Sequence, residues 1–124
     1  MINDNVVREA IAKIKPDKRD CLYNAVSDQY RNGPDELIHH LTKLIRAFLV
    51  HGSVPESVLL CILTPIVKCN LDDVTSSKNY RAIAGCCQLL KVIDQVFLLL
   101  ERDKLSFDPL QYAYQSESST TLCT

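Results

Sequence analysis

The stretch from Pro34 to Gly52, "PDELIHHLTKLIRAFLVHG", restricts the fold more than any other part of the chain. Leu37, Leu41, Leu44, Ile45, Phe48 and Leu49 recur at helical spacing and make a broad apolar face. Asp35 and Glu36 stand at the end where the helix dipole is positive, Arg46 and His51 toward the other. Gly52 suits the position just past the helix, because a left-handed backbone costs glycine little. With 124 residues there is room for one domain and one modest core around this helix.

Two further helices are expected. In "DNVVREAIAKI" (4–14), Val6, Val7, Ala10, Ile11 and Ile14 form one stripe, with Asp4 as the expected N-cap and Pro16 as the stop. Residues 16–34 read as loop, punctuated by "NGP" at 32–34. In "CCQLLKVIDQVFLLLERDK" (86–104), Leu89, Leu90, Ile93, Val96, Phe97 and Leu100 cover more surface than one partner hides. That helix is therefore expected to be central or covered by further structure. Pro55 opens a short turn or single helical turn. The run "VLLCILTPIV" (58–67) is short, partly β-branched and broken for a helix by Pro65, so it reads as a strand with a proline at an edge or bulge. A polar loop spans 69–79, and "YRAIA" (80–84) is a second strand ended by Gly85. The expected class is α+β: helices 4–14, 34–51 and 86–104 around a small antiparallel hairpin from 58–68 and 80–84.

Composition excludes several classes. Apolar residues make up 47% of the chain, too many for wholesale disorder. Lys and Arg number 14 against 15 Asp and Glu, so any attraction to nucleic acid must come from a local basic patch or from other parts of a larger protein. The opening "MINDNVV" is polar and acidic, unlike a secretory leader, and the runs "AFLV" and "VFLLL" are too short to span a bilayer. A nuclear or cytoplasmic location without a membrane is expected. Cysteines stand at 21, 61, 69, 86, 87 and 123. Cys61, inside the apolar run, reads as a small buried hydrophobe. The adjacent Cys86 and Cys87 suit neither a CxxC pair nor a zinc knuckle, and His39, His40 and His51 lack a cysteine at finger spacing. Reduced thiols are expected. His40 lies between the faces of Leu37 and Leu44, while His39 is expected to be exposed. Ser118 and Ser119 have no nucleophile elbow around them, which excludes a hydrolase triad.

"LTPIVK" and "NYR" place Lys68 and Arg81 on the two segments flanking the polar loop. They are either solvated charges at strand ends or the two cations of a phosphate site. Order and spacing then become informative. The set "L..L..A.L.HG.VP", "L.PI.K", "NYRAIA", "LLK..D", a helix, and "Q.A.Q...ST" resembles the fingers region of reverse transcriptases from non-LTR (LINE-type) retrotransposons. The resemblance runs from about Val6 to Thr124. It departs from the family at two places. A basic, glycine-rich stretch like "KAPGPDGI" is replaced by "KPDKRDCLYNAV", and a "QFGFR"-like segment by "QYAYQ", where Tyr112, Ala113, Tyr114 and Gln115 leave no glycine and no cation.

The resemblance implies a parent RNA-directed DNA polymerase, a nucleotidyltransferase, with Mg2+ as cofactor and an RNA template, DNA primer and dNTP as partners. It implies that residues 1–124 are a partial reverse transcriptase domain: the fingers of a right-hand polymerase, ending before the first metal-binding aspartate of the palm. By the same likeness Lys68 and Arg81 bind the incoming nucleotide, and Ile83, Ala84, Gln111 and Tyr114 contact template or nucleotide. Lys13, Lys15, Lys18 and Arg19 form a small basic cluster around a proline, read either as a solvated helix end or as a contact to template phosphates. Asp72 and Asp73 fall in a fingers loop rather than a metal site, so no catalytic residue or metal ligand is assigned. The palm is expected to cover helix 86–104, and the chain alone is expected to be inactive. The alternatives are a non-catalytic helical interaction or nucleic-acid-binding remnant of a retrotransposon, and a product that does not fold stably. A steep cooperative melt would favour the former, a broad one the latter.

Overall fold

A computed structural model describes residues 1–20, 22–68 and 74–106. Among these residues, five α-helices and one two-stranded sheet follow in the order α1 (Asp4–Lys13), α2 (Ser27–Arg31), α3 (Asp35–His51), α4 (Glu56–Leu59), β1 (Cys61–Val67), β2 (Tyr80–Cys86) and α5 (Gln88–Glu101). Single 3-10 turns precede β2 at Ser77–Asn79 and follow α5 at Arg102–Lys104. The class is the expected α+β, with several helices and one small antiparallel hairpin.

The core lies where α1 meets α3 and α5. Val7, Ala10 and Ile11 of α1 meet Ile38, Leu41 and Ile45 of α3 and Val92, Ile93 and Val96 of α5. The α3 face is rotated from the expected one. Ile38 is buried, whereas Leu44 and Leu49 stay exposed, because α1 and α5 cover only part of the apolar arc. His39 and His40 are both exposed.

Helix ends explain the remaining boundaries. The N-cap of α1 is Asn3, not Asp4: its Oδ1 accepts from the Val6 N–H at 3.0 Å. At the other end Arg31 donates to the carbonyls of Ala12 (2.9 Å) and Ile14 (2.7 Å), which satisfies two of the orphaned acceptors of α1. Arg31 can do this because residues 27–31, expected as loop, form the one-turn α2. The Gln29 side chain accepts from the Val26 N–H at 3.0 Å and starts that turn. Before it, Arg19 and Val26 form an isolated bridge around a tight turn held by the buried Asp20.

Gly52 ends α3 with φ 64°, as expected. Gly33 is needed for a different reason. A Cβ there would run into Leu37 Cδ2 and lie 2.9 Å from the Gln29 carbonyl oxygen, which is backbone and cannot give way. Gly33→Ala should therefore destabilise by about 2 kcal/mol through overpacking. Gly52→Ala meets open space and should cost only about 1 kcal/mol, from the left-handed backbone alone. Urea unfolding of both variants checks the order.

Candidate functional site

The hairpin carries the residues singled out for nucleotide contact. Its register pairs Cys61 with Cys86, Leu63 with Ala84, Thr64 with Ile83, Pro65 with Ala82, Ile66 with Arg81 and Val67 with Tyr80. The Lys68 N–H donates to the Asn79 carbonyl at 2.8 Å. That bond sets the phase of the ladder, since hydrogen-bonded and non-hydrogen-bonded pairs alternate in antiparallel strands. Pro65 then falls in a non-hydrogen-bonded pair, where its missing N–H costs the ladder nothing. So the proline that argued against a helix is compatible with this strand.

Side chains alternate between faces along a strand, and directly opposed residues share a face. Lys68, two residues beyond Ile66, therefore shares a face with Arg81, which is paired to Ile66. Thr64 and Ile83 extend that face, and Ala84 lies on the other one beside Leu63. The candidates thus divide: Lys68, Arg81 and Ile83 stand together, Ala84 stands apart. Gln111 and Tyr114 lie outside the described residues, as do the "QYAYQ" segment, Ser118, Ser119, and the acidic pair Asp72 and Asp73.

Arg81 is exposed and forms no ion pair with any described acidic group. The Lys68 ammonium donates to the Lys78 carbonyl at 2.6 Å, which folds its side chain back along the loop. Tyr80 steadies the same loop by donating its hydroxyl to the Val74 carbonyl at 2.8 Å. Ile83 is half exposed, so it lines the surface rather than filling the core.

The basic cluster takes a different form from the one expected. A cleft of about 370 Å³ is lined by Lys13, Lys15, Lys18 and Lys91, with Ile14, Gln88 and Gln95. Lys91 enters from α5, a contact that no local spacing could reveal. Arg19 does not line it; its guanidinium donates to Asn24 Oδ1 at 2.9 Å. Gln88 is buried and donates to the Lys18 carbonyl at 3.0 Å, joining the cluster's backbone to α5.

Asp20, which sequence reasoning passed over, links the same two elements. Its Oδ1 accepts from the N–H groups of Tyr23 (2.7 Å) and Leu22 (3.2 Å), and its Oδ2 from the Gln88 N–H at the start of α5 (3.2 Å). Burial pushes the carboxyl up, but the backbone N–H groups of Tyr23, Gln88, Leu22 and Ala25 together outweigh it and hold the group below the usual carboxylate range.

Among the described residues, no group of three or more His, Cys, Asp or Glu side chains could hold a metal ion. No described helix is long and apolar enough to cross a membrane. Compared with protein-family models, with curated proteins and with solved structures, the chain finds no match.

Proposed function

We propose that the chain is the fingers portion of an RNA-directed DNA polymerase of the non-LTR retrotransposon type, and that its hairpin presents Lys68 and Arg81 to the triphosphate of an incoming nucleotide. One observation supports this reading above the others: the register puts both cations on one exposed face, beside Ile83. A lysine supplies a mobile point charge and an arginine a rigid fork across two oxygens. Together they suit phosphate oxygens whose negative charge must be held in place. To reach a ligand the Lys68 ammonium gives up the Lys78 carbonyl, which a charged phosphate oxygen replaces. The lysine cleft at Lys13, Lys15, Lys18 and Lys91 would hold strand phosphates without reading sequence. The carboxylates and Mg2+ of such an enzyme belong to a palm, so these 124 residues alone are expected to give no primer extension.

A second reading, a non-catalytic interaction module, is favoured by one specific feature. Leu63 (67% exposed) on one hairpin face and Ile66 and Ile83 on the other leave both faces apolar and uncovered, as a docking surface for protein would be.

Titration with a fluorescent dATP analogue at low salt separates the two. Arg81→Ala should weaken binding about tenfold and Lys68→Ala about threefold, the two-pronged arginine fork being the stronger contact. Binding should also fall with added salt. Arg8→Ala, on α1, whose guanidinium pairs with Asp35 of α3 at 2.8 Å, serves as the control and should bind as the parent does. If both hairpin variants keep the parental affinity, the triphosphate reading fails.

A further inference from the structure

Cys61, expected to be buried, is exposed, and its sulfur meets that of Cys86 at 2.7 Å. The two residues are direct cross-strand partners at the end of the hairpin remote from its loop. The ladder phase set by Lys68 and Asn79 makes theirs a non-hydrogen-bonded pair, the kind in which Cα atoms approach most closely. Their side chains share a face, so both thiols point the same way. Cys87, although adjacent in sequence, is engaged elsewhere. It is buried, its thiol donates to the Val58 carbonyl at 3.3 Å, and its sulfur caps α5 by accepting from the Leu90 N–H.

We propose that Cys61 and Cys86 form a reversible thiol–disulfide pair, oxidised by low-molecular-weight disulfides such as oxidised glutathione. The Cys61 thiolate is the exposed sulfur and attacks one sulfur of the glutathione disulfide. One glutathione leaves as its thiolate and a mixed disulfide remains. The Cys86 sulfur, half-buried and already in contact, then displaces the second glutathione. Two protein thiols and one glutathione disulfide give one protein disulfide and two glutathione thiols. The contact with Cys61, then burial, pushes the Cys86 thiol up, which makes it a poor first nucleophile, while its place against Cys61 lets it take the second step. The bond would tie the start of β1 to the end of β2, just before the α5 cap, and so clamp the hairpin at its base. In a reducing compartment the pair rests as thiols, which agrees with a transient cross-link rather than a structural one. This assignment is independent of the nucleotide reading, since it rests on register and thiol contact alone.

The test is incubation of the full chain with oxidised glutathione, followed by tryptic peptide mapping. Cleavage at Arg46, Lys68, Arg81 and Lys91 puts Cys61 in peptide 47–68 and both Cys86 and Cys87 in peptide 82–91. The expected result is a cross-link between these peptides with loss of two hydrogens, reversed by reductant. It should vanish in Cys61→Ser and Cys86→Ser and persist in Cys87→Ser, whose hydroxyl can still cap α5. The oxidised protein should melt about 5 °C higher than the reduced form, through the closed loop. Circular dichroism of each variant verifies folding, and Cys61→Ala repeats the test at an exposed position that tolerates change. A cross-link that survives Cys86→Ser, one that joins Cys61 to Cys21, Cys69 or Cys123 or only to a second molecule, or the absence of any cross-link, would overturn the assignment.

Discussion

Ile45→Ala should lower the unfolding free energy by about 3 to 4 kcal/mol. Ile45 is the largest of the fully buried side chains, 1% exposed, where α3 meets α1 and α5. Removing its outer carbons forfeits their transfer energy and leaves a cavity that three rigid helices cannot close. The neighbouring apolar cleft of about 330 Å³, lined by Phe48, Leu49, Ile93 and Phe97, means the site is already open on one side. Relaxation into that cleft keeps the loss below the upper end for such changes. Ile45→Val should cost about 1 kcal/mol, and Leu49→Ala, at a position 46% exposed, less than that. Urea unfolding gives the numbers; a lower midpoint at unchanged slope is the signature.

Asp20→Ala should cost about 3 kcal/mol, a large loss for a residue outside the apolar core. It strands the N–H groups of Leu22, Tyr23 and Gln88, the last of which opens α5 and loses a negative partner at its positive end. Asp20→Asn keeps an acceptor in place and should lose about half as much. The pH dependence has a fixed sign. The folded carboxyl is held below its ordinary value near 3.8, so its contribution is fully present above that value. It is lost as the pH falls through the lowered folded value. The parent should therefore lose stability on acidification below about pH 4 more steeply than Asp20→Asn, which has no such proton to take up. Parallel melts between about pH 7 and about pH 2.5 compare the two, and equal slopes would remove Asp20 from the account.

The fold is unevenly legible in the amino-acid sequence, for physical reasons. Helix α3 is legible because a seventeen-residue amphipathic run ends on a glycine that can turn left-handed. The hairpin is legible because an apolar run too short for a helix carries Pro65 and is followed by a polar loop and "YRAIA". The α1 cap falls one residue earlier than expected because Asn3 and Asp4 are equally good acceptors, and only the backbone angles decide. Helix α2, at five residues, is too short to show a period. Which part of the α3 arc is covered depends on where α1 and α5 sit, so Ile38 displaces Leu44 and Leu49. The same holds for Asp20, whose third partner is 68 residues away.

The candidate site is legible at the level of residue type but not of pairing. The sequence names Lys68 and Arg81, and only the register shows that they share a face while Ala84 does not. Exposure of Cys61 is equally out of reach, since an apolar neighbourhood in sequence does not imply burial when a strand stands clear of the core. Phe97 and Leu98 remain exposed on α5, whose apolar residues outnumber those that the described helices cover.

A hairpin that belongs to a polymerase, as proposed, needs a palm encoded in the same frame. The most direct measurement is to read the transcript on the 3′ side of the Thr124 codon. The expected result is an open frame of a few hundred codons. It should encode an aspartate flanked by apolar residues and, further on, a Tyr-x-Asp-Asp segment able to hold divalent metal. A stop codon directly after Thr124, or a continuing frame without those carboxylates, would contradict it.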